Sequence, residues 1–305
     1  MQLVIMAAGM GSRFGGLKQM EPMDDYNNFL LEYSIYDAKR AGFSSVVFII
    51  KKDFYEAFRD TIGKRAEKII KVEYAFQDLN DLPEGFKCPE GREKPWGTAH
   101  AIYAARDLIK EDFIVINGDD FYGKETYEVA YKYLTSLPKD SKGKYAIVAF
   151  EARNTMTENG AVKRGVAFED KTGYLDRLIE SSIYAKGNKV VCEPLDGSKP
   201  FETEPSQLVS MNLFCFNKDL IPALGEKFPI WLKDNINVPK SEFLIPTVVD
   251  ELVHENKDGN LDKLIESSIY KVGDMIACEP LDGSAKFMVK PSQLVSMNLF
   301  CFNKD

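Results

Sequence analysis

Ala7-Ala8-Gly9-Met10-Gly11-Ser12-Arg13-Phe14-Gly15-Gly16-Leu17-Lys18 follows directly on an apolar run at residues 3–6. An apolar run that breaks into glycines reads as a buried strand entering a tight turn. Small residues there let backbone N–H groups approach a phosphate closely, and the next helix adds its positive N-terminal end. Arg13 and Lys18 place two fixed cations at the edge of the loop. Bare amides with Arg and Lys suit a triphosphate, so the loop points to chemistry at phosphorus. Taken alone, it leaves open a plain glycine turn with two surface cations. A dinucleotide fingerprint fits poorly, because Phe14 stands where that pattern needs glycine or alanine. The second expected strand also runs into Lys51 and Lys52 instead of an acidic ribose ligand. A P-loop fails as well, since no Gly-Lys-Ser/Thr closes the run.

The rest of the chain narrows the setting. Its 305 residues allow one large domain with appendages or two modest ones. Hydrophobic residues at 45% and charged residues at 28% are ordinary for a soluble globular protein. A net charge of −8 with no dominant basic stripe argues against a nucleic-acid partner, so a phosphate ligand must be met by locally placed cations. Cys88, Cys192, Cys215, Cys278 and Cys301 include no Cys-x-x-Cys pair, and His100 and His254 are the only histidines, which argues against zinc. The start lacks a basic n-region and a long apolar h-region, and no run approaches the ~18 residues of a membrane span. The expectation is a cytoplasmic protein with reduced thiols and no membrane partner.

Strand-like and helix-like segments alternate through the first half, the pattern of an α/β fold. Strands are expected at residues 3–6, 46–50, 69–76, 113–116 and 145–150, and helices at 29–41, 54–62, 98–109 and 125–137. Residues 78–95 read as a polar surface excursion. Shorter β-segments follow around Gly165, at 175–179 and at 208–216, then a helix at 241–255 with Ser241 as N-cap. Loops after successive parallel strands gather at one sheet edge. That gathering would unite the glycine loop, Gln77, the 96–99 turn and residues 117–122 on one rim.

A repeat is the most unusual feature of organisation. Glu169–Asp219 matches Glu255–Asp305 without gaps at an offset of 86, with 36 of 51 positions identical. Two copies are too few for a solenoid, so the expected division is residues 1–255 as the main domain and 256–305 as an appendage repeating 170–219. The second copy either packs as an extra β-unit or replaces the first in a neighbouring molecule, which leaves a homo-oligomer open.

Three further motifs carry chemistry. Asn117-Gly118-Asp119-Asp120 ends a strand with carboxylates suited to Mg²⁺, a hard cation that shares its ligands with substrate phosphates. The alternative is a turn whose aspartates cap the next helix. Trp96-Gly97-Thr98-Ala99-His100-Ala101 opens a helix: Gly97 would admit a flat ring and Thr98 would cap or hydrogen-bond it, unless this is a plain helix start. Gln77, with one acceptor and two donors, can read a base edge, although a lone Gln at a strand end is commonly just solvated.

Together these motifs resemble the sugar-nucleotide pyrophosphorylases, a family of nucleotidyltransferases. Ala7 through Arg13 with Lys18 match its phosphate loop, Gln77 with Gly97, Thr98 and Ala101 match its base-contacting motifs, and Gly118-Asp119 matches its metal motif. Gly165 and Glu180 resemble its sugar-binding Gly and Glu, and Asn212 its sugar-contacting Asn. The resemblance covers roughly residues 1–255. It implies a three-layer, Rossmann-like domain with a mixed, mostly parallel sheet and a β-rich sugar-binding portion. It also implies Mg²⁺-dependent joining of a nucleoside triphosphate, UTP in preference to CTP or dTTP, to a sugar 1-phosphate, giving NDP-sugar and pyrophosphate. Ala7, Ala8, Gly9 and Gly11 would lie along the nucleotide. Arg13 would hold the β- and γ-phosphates, Lys18 the α-phosphate and Asp119 the metal. A second metal ligand, which members supply from a strand after the last helix, has no match, and the second repeat copy occupies that place. Two other readings stand beside this one. The first is a cytidylyltransferase acting on phosphocholine or a similar phosphorylated alcohol, with Trp96, Phe121 or Tyr122 as cation–π partner. The second is a catalytically silent nucleotide-sugar sensor.

Overall fold

Leu3–Ile5, Val46–Ile49 and Phe113–Ile116 are completely buried, so these apolar runs form central strands covered on both faces. The computed structural model describes residues 1–8, 23–25, 27–139, 141–171, 174–255, 267–272, 275–280, 287–289 and 298–302. Gly9, Gly11, Arg13 and Lys18 lie outside the described residues. Met1–Gly143 with Asn212–Val249 makes one unit, and Lys144–Met211 with Asp250–Asp305 makes a second.

In the first unit, β1 (Gln2–Met6) leads towards α1 (Leu30–Ala41), which buries Leu31, Ser34, Ile35 and Ala38 at helical spacing. The Glu32 carboxylate accepts the Phe29 N–H at 2.8 Å and so closes the first turn of α1. Next comes β2 (Ser45–Ile50). The helix expected at 54–62 is broken into α2 (Tyr55–Phe58), a π turn at Arg59–Gly63 and α3 (Lys64–Ala66). The Thr61 hydroxyl donates to the Ala57 and Phe58 carbonyls at 2.8 and 3.1 Å, competing with the helical ladder there. The unit continues with β3 (Lys71–Phe76), α4 (Thr98–Ala104), β4 (Phe113–Asn117) and α5 (Lys124–Ser136). β1 pairs in parallel with β2 and with β4, and β3 in parallel with β2. Phe214–Phe216 then run antiparallel beside β4. The result is the expected mixed, mostly parallel sheet flanked by helices, with α1 packed on α5 and α4 on α6 (Leu220–Asn235).

α7 begins at Ile245 and ends at Glu255, four residues later than the sequence suggests. Ser241 is not its cap, because the Ser241 hydroxyl donates to the Asn235 and Val238 carbonyls. The Thr98 hydroxyl instead accepts the Ile245 N–H at 2.9 Å, and Pro246 sits in the first turn, where no N–H is needed.

The second unit is antiparallel. Beside β5 (Tyr145–Glu151) it holds β6 (Val162–Glu169), β7 (Leu175–Lys186), β8 (Lys189–Pro194) and β9 (Phe201–Thr203). β6 through β9 form a meander, and Val209 and Ser210 of β10 (Leu208–Phe216) pair on its β6 side. Ala152, Val166, Ile183, Val190, Cys192 and Val209 fill its core. Among the described residues, three strands of the second repeat copy mirror the first. β11 (Ser267–Val272), β12 (Met275–Pro280) and β13 (Phe287–Val289) form a three-stranded sheet. The pairs Ser267↔Pro280 and Ile276↔Val289 repeat Ser181↔Pro194 and Val190↔Thr203 at the sequence offset of 86. β14 (Asn298–Phe302), which copies Asn212–Phe216, pairs antiparallel with β5. Among the described residues no helix is long and apolar enough to cross a membrane.

Candidate active site

The strand exits of the first unit share one edge. The Ala7 N–H donates to Ile49 O at 2.8 Å, Gly118 N–H to Met6 O at 2.9 Å and Gln77 N–H to Ile50 O at 3.0 Å. A Cβ on Gly118 would lie 3.1 Å from Met6 O and 3.3 Å from Ala7 Cβ, so the two turns meet closely and a side chain there would have to push its neighbours aside. The rim expected from strand order therefore holds for Ala7, Ala8, Gln77 and residues 117–119. Asp119 is exposed, whereas Asp120 accepts the Asn117 side-chain amide at 2.8 Å. The N-cap of α5 is Gly123 and not either aspartate, which sets aside the reading of this motif as a helix cap. Among the described residues no three His, Cys, Asp or Glu side chains group as a metal site. The single carboxylate of Asp119 fits an ion that keeps water and takes its other oxygens from phosphates, as Mg²⁺ does.

A cavity of about 240 Å³ opens at the exit of β3, lined by Lys51, Lys52, Phe76, Gln77, Asn80 and Pro95 among others. Gln77 Nε2 donates to Gly97 O at 2.9 Å and lies 3.3 Å from His100 Nδ1. His100 Nε2 lies 3.0 Å from Asp81 O, and the Asp81 carboxylate takes two bonds from Arg106 at 2.7 and 2.8 Å. Burial, with Arg106 adding to it, pushes the His100 pKa down from its usual value, against opposing effects of Asp81 and Asp78. The ring is therefore neutral at pH 7. Sequence reasoning missed His100, although its signal was present: a polar residue among Ala99, Ala101 and Ile102 on the buried side of a helix.

The structure adds a second demand at this turn. Gly97 is required by the protein's own backbone, and the Thr98 hydroxyl oxygen accepts the Ile245 N–H of α7. The cation–π expectation changes. Trp96 is fully buried, its indole N–H donates to Leu79 O at 2.8 Å, and the Arg92 guanidinium lies 3.4 Å from its ring centre. Tyr122 is buried with its hydroxyl accepting the Asn117 N–H. Of the three aromatics, Phe121 alone is exposed.

In the second unit, Gly165 is the direct cross-strand partner of Glu180 on β7 and of Ser210 on β10. A Cβ on Gly165 would lie 3.0 Å from Leu178 Cδ1 and 3.4 Å from Ser210 Cβ, so the glycine lets these side chains pack over the strand beside Glu180. Burial pushes the Glu180 carboxyl up to about 7, although Lys163 and Arg164 pull it down. Asn212, counted with the first unit, has φ of 62°, a left-handed conformation that Asn tolerates better than most residues.

The folded pKa of Glu180 lies above its unfolded value, so its stabilising contribution is complete below pH 4.5 and is lost as pH rises through about 7. Glu180→Gln is accordingly expected to be more stable than wild type at pH 8.5 by about 2 kcal/mol, with the gain fading by pH 5. Urea unfolding at both pH values measures this, and an equal effect at both would refute it.

The strand exits of the parallel sheet thus share one edge, with a small cavity at the exit of β3 and the Asp119 carboxylate after β4. The nucleotidyl transferase family model matches residues 2–228, and the chain belongs to that family. Among curated relatives, the low-salt glycan biosynthesis nucleotidyltransferase Agl11 of Haloferax volcanii is 23% identical over 239 residues, 76% of this chain and 53% of its own length. The bifunctional protein GlmU of Methanococcus vannielii is 26% identical over 206 residues, 66% of this chain and 44% of its own. The chain thus spans about half the length of the curated relatives it matches. Among solved structures, a UDP-glucose pyrophosphorylase complexed with UDP-glucose aligns with a TM-score of 0.50 at 18% identity, covering 84% of this chain and 87% of that one. An inositol-1-phosphate CTP transferase from T. maritima aligns with a TM-score of 0.54 at 12% identity, covering 97% and 91%. At these identities the two structures support the fold.

Proposed function

We propose that the protein joins UTP to a sugar 1-phosphate, giving UDP-sugar and pyrophosphate. The observation that carries this reading is the Gln77 cavity at the exit of β3, on the same strand edge as Ala7 and Gly118-Asp119. The attacking phosphate oxygen is already anionic, so no general base is required. A bond forms from that oxygen to the α-phosphorus, and the bond from the α-phosphorus to the bridging oxygen of the β-phosphate breaks. Catalysis is then in-line positioning plus neutralisation of charge. Arg13 stabilises the departing pyrophosphate, Lys18 the α-phosphate, and Asp119 holds Mg²⁺, which supplies further neutralisation of phosphate charge when bound. On this reading Ala7, Ala8, Gly9 and Gly11 lie along the nucleotide, and Glu180, beside Gly165, hydrogen-bonds hydroxyls of the acceptor, with Asn212 as a further contact.

CTP with a phosphorylated alcohol is the second reading, and the inositol-1-phosphate CTP transferase among the structural neighbours supports keeping it. Pyrophosphate release measured over UTP, CTP, dTTP, ATP and GTP, each with a panel of sugar 1-phosphates and with phosphocholine, tests both. Release is expected with UTP and a sugar 1-phosphate, and only when Mg²⁺ is present. Release confined to CTP with phosphocholine would replace this reading by the second. Nucleotide binding without release in any pairing would make the chain a sensor.

A further inference from the structure

The atoms around the Gln77 amide leave it one permitted orientation. Gly97 O is an acceptor only, and Gln77 Nε2 donates to it at 2.9 Å. Flipping the amide would set two carbonyl oxygens against each other at that distance. On its other side, Nε2 faces His100 Nδ1 at 3.3 Å. The opposite ring nitrogen, Nε2, lies 3.0 Å from Asp81 O, which is likewise an acceptor only, so the ring proton belongs on Nε2. In a neutral ring, Nδ1 then carries a bare lone pair that accepts from Gln77. Both amide hydrogens are thereby used, and among the described residues the Gln77 oxygen accepts no hydrogen bond.

We propose that His100 is a positioning residue for nucleobase recognition, locking the Gln77 amide so that it offers only its oxygen to the base. The inference rests on reading the Gln77 cavity as the base site. An amide held this way cannot adapt to the ligand. It accepts an N–H from the base edge, as the N3–H of uracil provides, and opposes a base that presents an acceptor or an alkyl group there. The fully buried ring, tilted at 39° to the Phe228 ring with centroids 5.0 Å apart, and the two bonds from Arg106 that fix Asp81 keep this relay from rotating. The charged groups acting on the ring are Asp81, Arg106 and Asp78, and the depressed pKa keeps Nδ1 free to accept at neutral pH.

Two experiments test the proposal, and the first needs no substrate. The chain has two histidines, so ¹⁵N-histidine NMR of the intact protein resolves His100 against His254. A ring protonated on Nε2 alone at pH 7 is expected; a proton on Nδ1 would overturn the relay. The second compares KM and kcat for UTP and N3-methyl-UTP in wild type, Gln77→Ala, His100→Phe and His100→Asn, each first shown to be folded by its melting transition. Wild type is expected to favour UTP by about 10-fold or more in KM, because the methylated base leaves a buried acceptor unpaired. His100→Phe should cut that preference to about 2-fold, with the loss falling on KM rather than kcat. His100→Asn should retain it, its amide oxygen replacing Nδ1 as acceptor. Full preference in His100→Phe would overturn the positioning role. A preference unchanged in Gln77→Ala would instead overturn the assignment of the base site.

Discussion

Gly97→Ala should unfold at markedly lower denaturant and lose its response to UTP. The Gly97 backbone has φ of 109°, which costs a side-chain-bearing residue about 1–3 kcal/mol. The added Cβ would lie 2.4 Å from Phe243 O and 2.7 Å from Phe243 N. These are main-chain atoms already committed: Phe243 N–H donates to Trp96 O at 2.6 Å, and Phe243 O accepts the Ala99 N–H at 3.0 Å. Relieving the clash therefore breaks one of those bonds or displaces the turn, at a further cost of about 1–3 kcal/mol. The combined loss expected is about 3–5 kcal/mol, a large part of the stability of a domain this size. The shift also moves Gly97 O, the acceptor that orients Gln77. Urea unfolding with and without UTP reads both effects. A variant within about 1 kcal/mol of wild type that still shows a UTP-induced melting shift would refute this role of Gly97.

The strands were legible where an apolar run has one outcome. The runs giving β1, β2 and β4 are buried on both faces, and the polar or glycine-bearing residues after them had to fall at one edge. Features decided by distant contacts were not legible. Trp96 reads as an available aromatic until Arg92 is found over its face, and Thr98 reads as a local cap until Ile245, far along the chain, takes its oxygen. The pentapeptide Asn-Leu-Phe-Cys-Phe is the sharpest instance. Its first copy ends β10, which pairs with β4 and also with β5, while the second forms β14, paired among the described strands with β5 alone. Identical side chains give identical strand propensity, so the neighbours each copy gains are set by which edges it can reach. The meander β11–β13 behaves in the opposite way. Its strands are joined by short connections that fix the register locally, so it reproduces the registers of the first copy in a different place. At the site, Gln77 was legible as a polar residue ending a strand. The direction of its amide was not, since that depends on His100, Asp81 and Gly97 together.

Arg13→Ala and Lys18→Ala should each lower turnover with UTP and the preferred sugar 1-phosphate by about 10²-fold or more, the loss seen when a donor to transition-state charge is removed. The chain carries a net charge of −8, so its overall field repels a triphosphate and cannot replace a missing local cation. The two losses should differ in kind. Charge develops on the departing pyrophosphate as its bond to the α-phosphorus breaks, and Arg13, assigned to the β- and γ-phosphates, also grips these groups in the ground state. Arg13→Ala is therefore expected to raise KM for UTP as well as to lower kcat. Lys18 is assigned to the α-phosphate, where charge changes between ground and transition states, so Lys18→Ala should lower kcat with KM little altered. Arg13→Lys should recover little, because a point charge cannot span two phosphate oxygens as a guanidinium does. Steady-state pyrophosphate release at saturating sugar phosphate separates these outcomes. Turnover near wild type in either alanine variant would remove that residue from the reaction, and a pure KM effect in Lys18→Ala would move Lys18 from catalysis to binding.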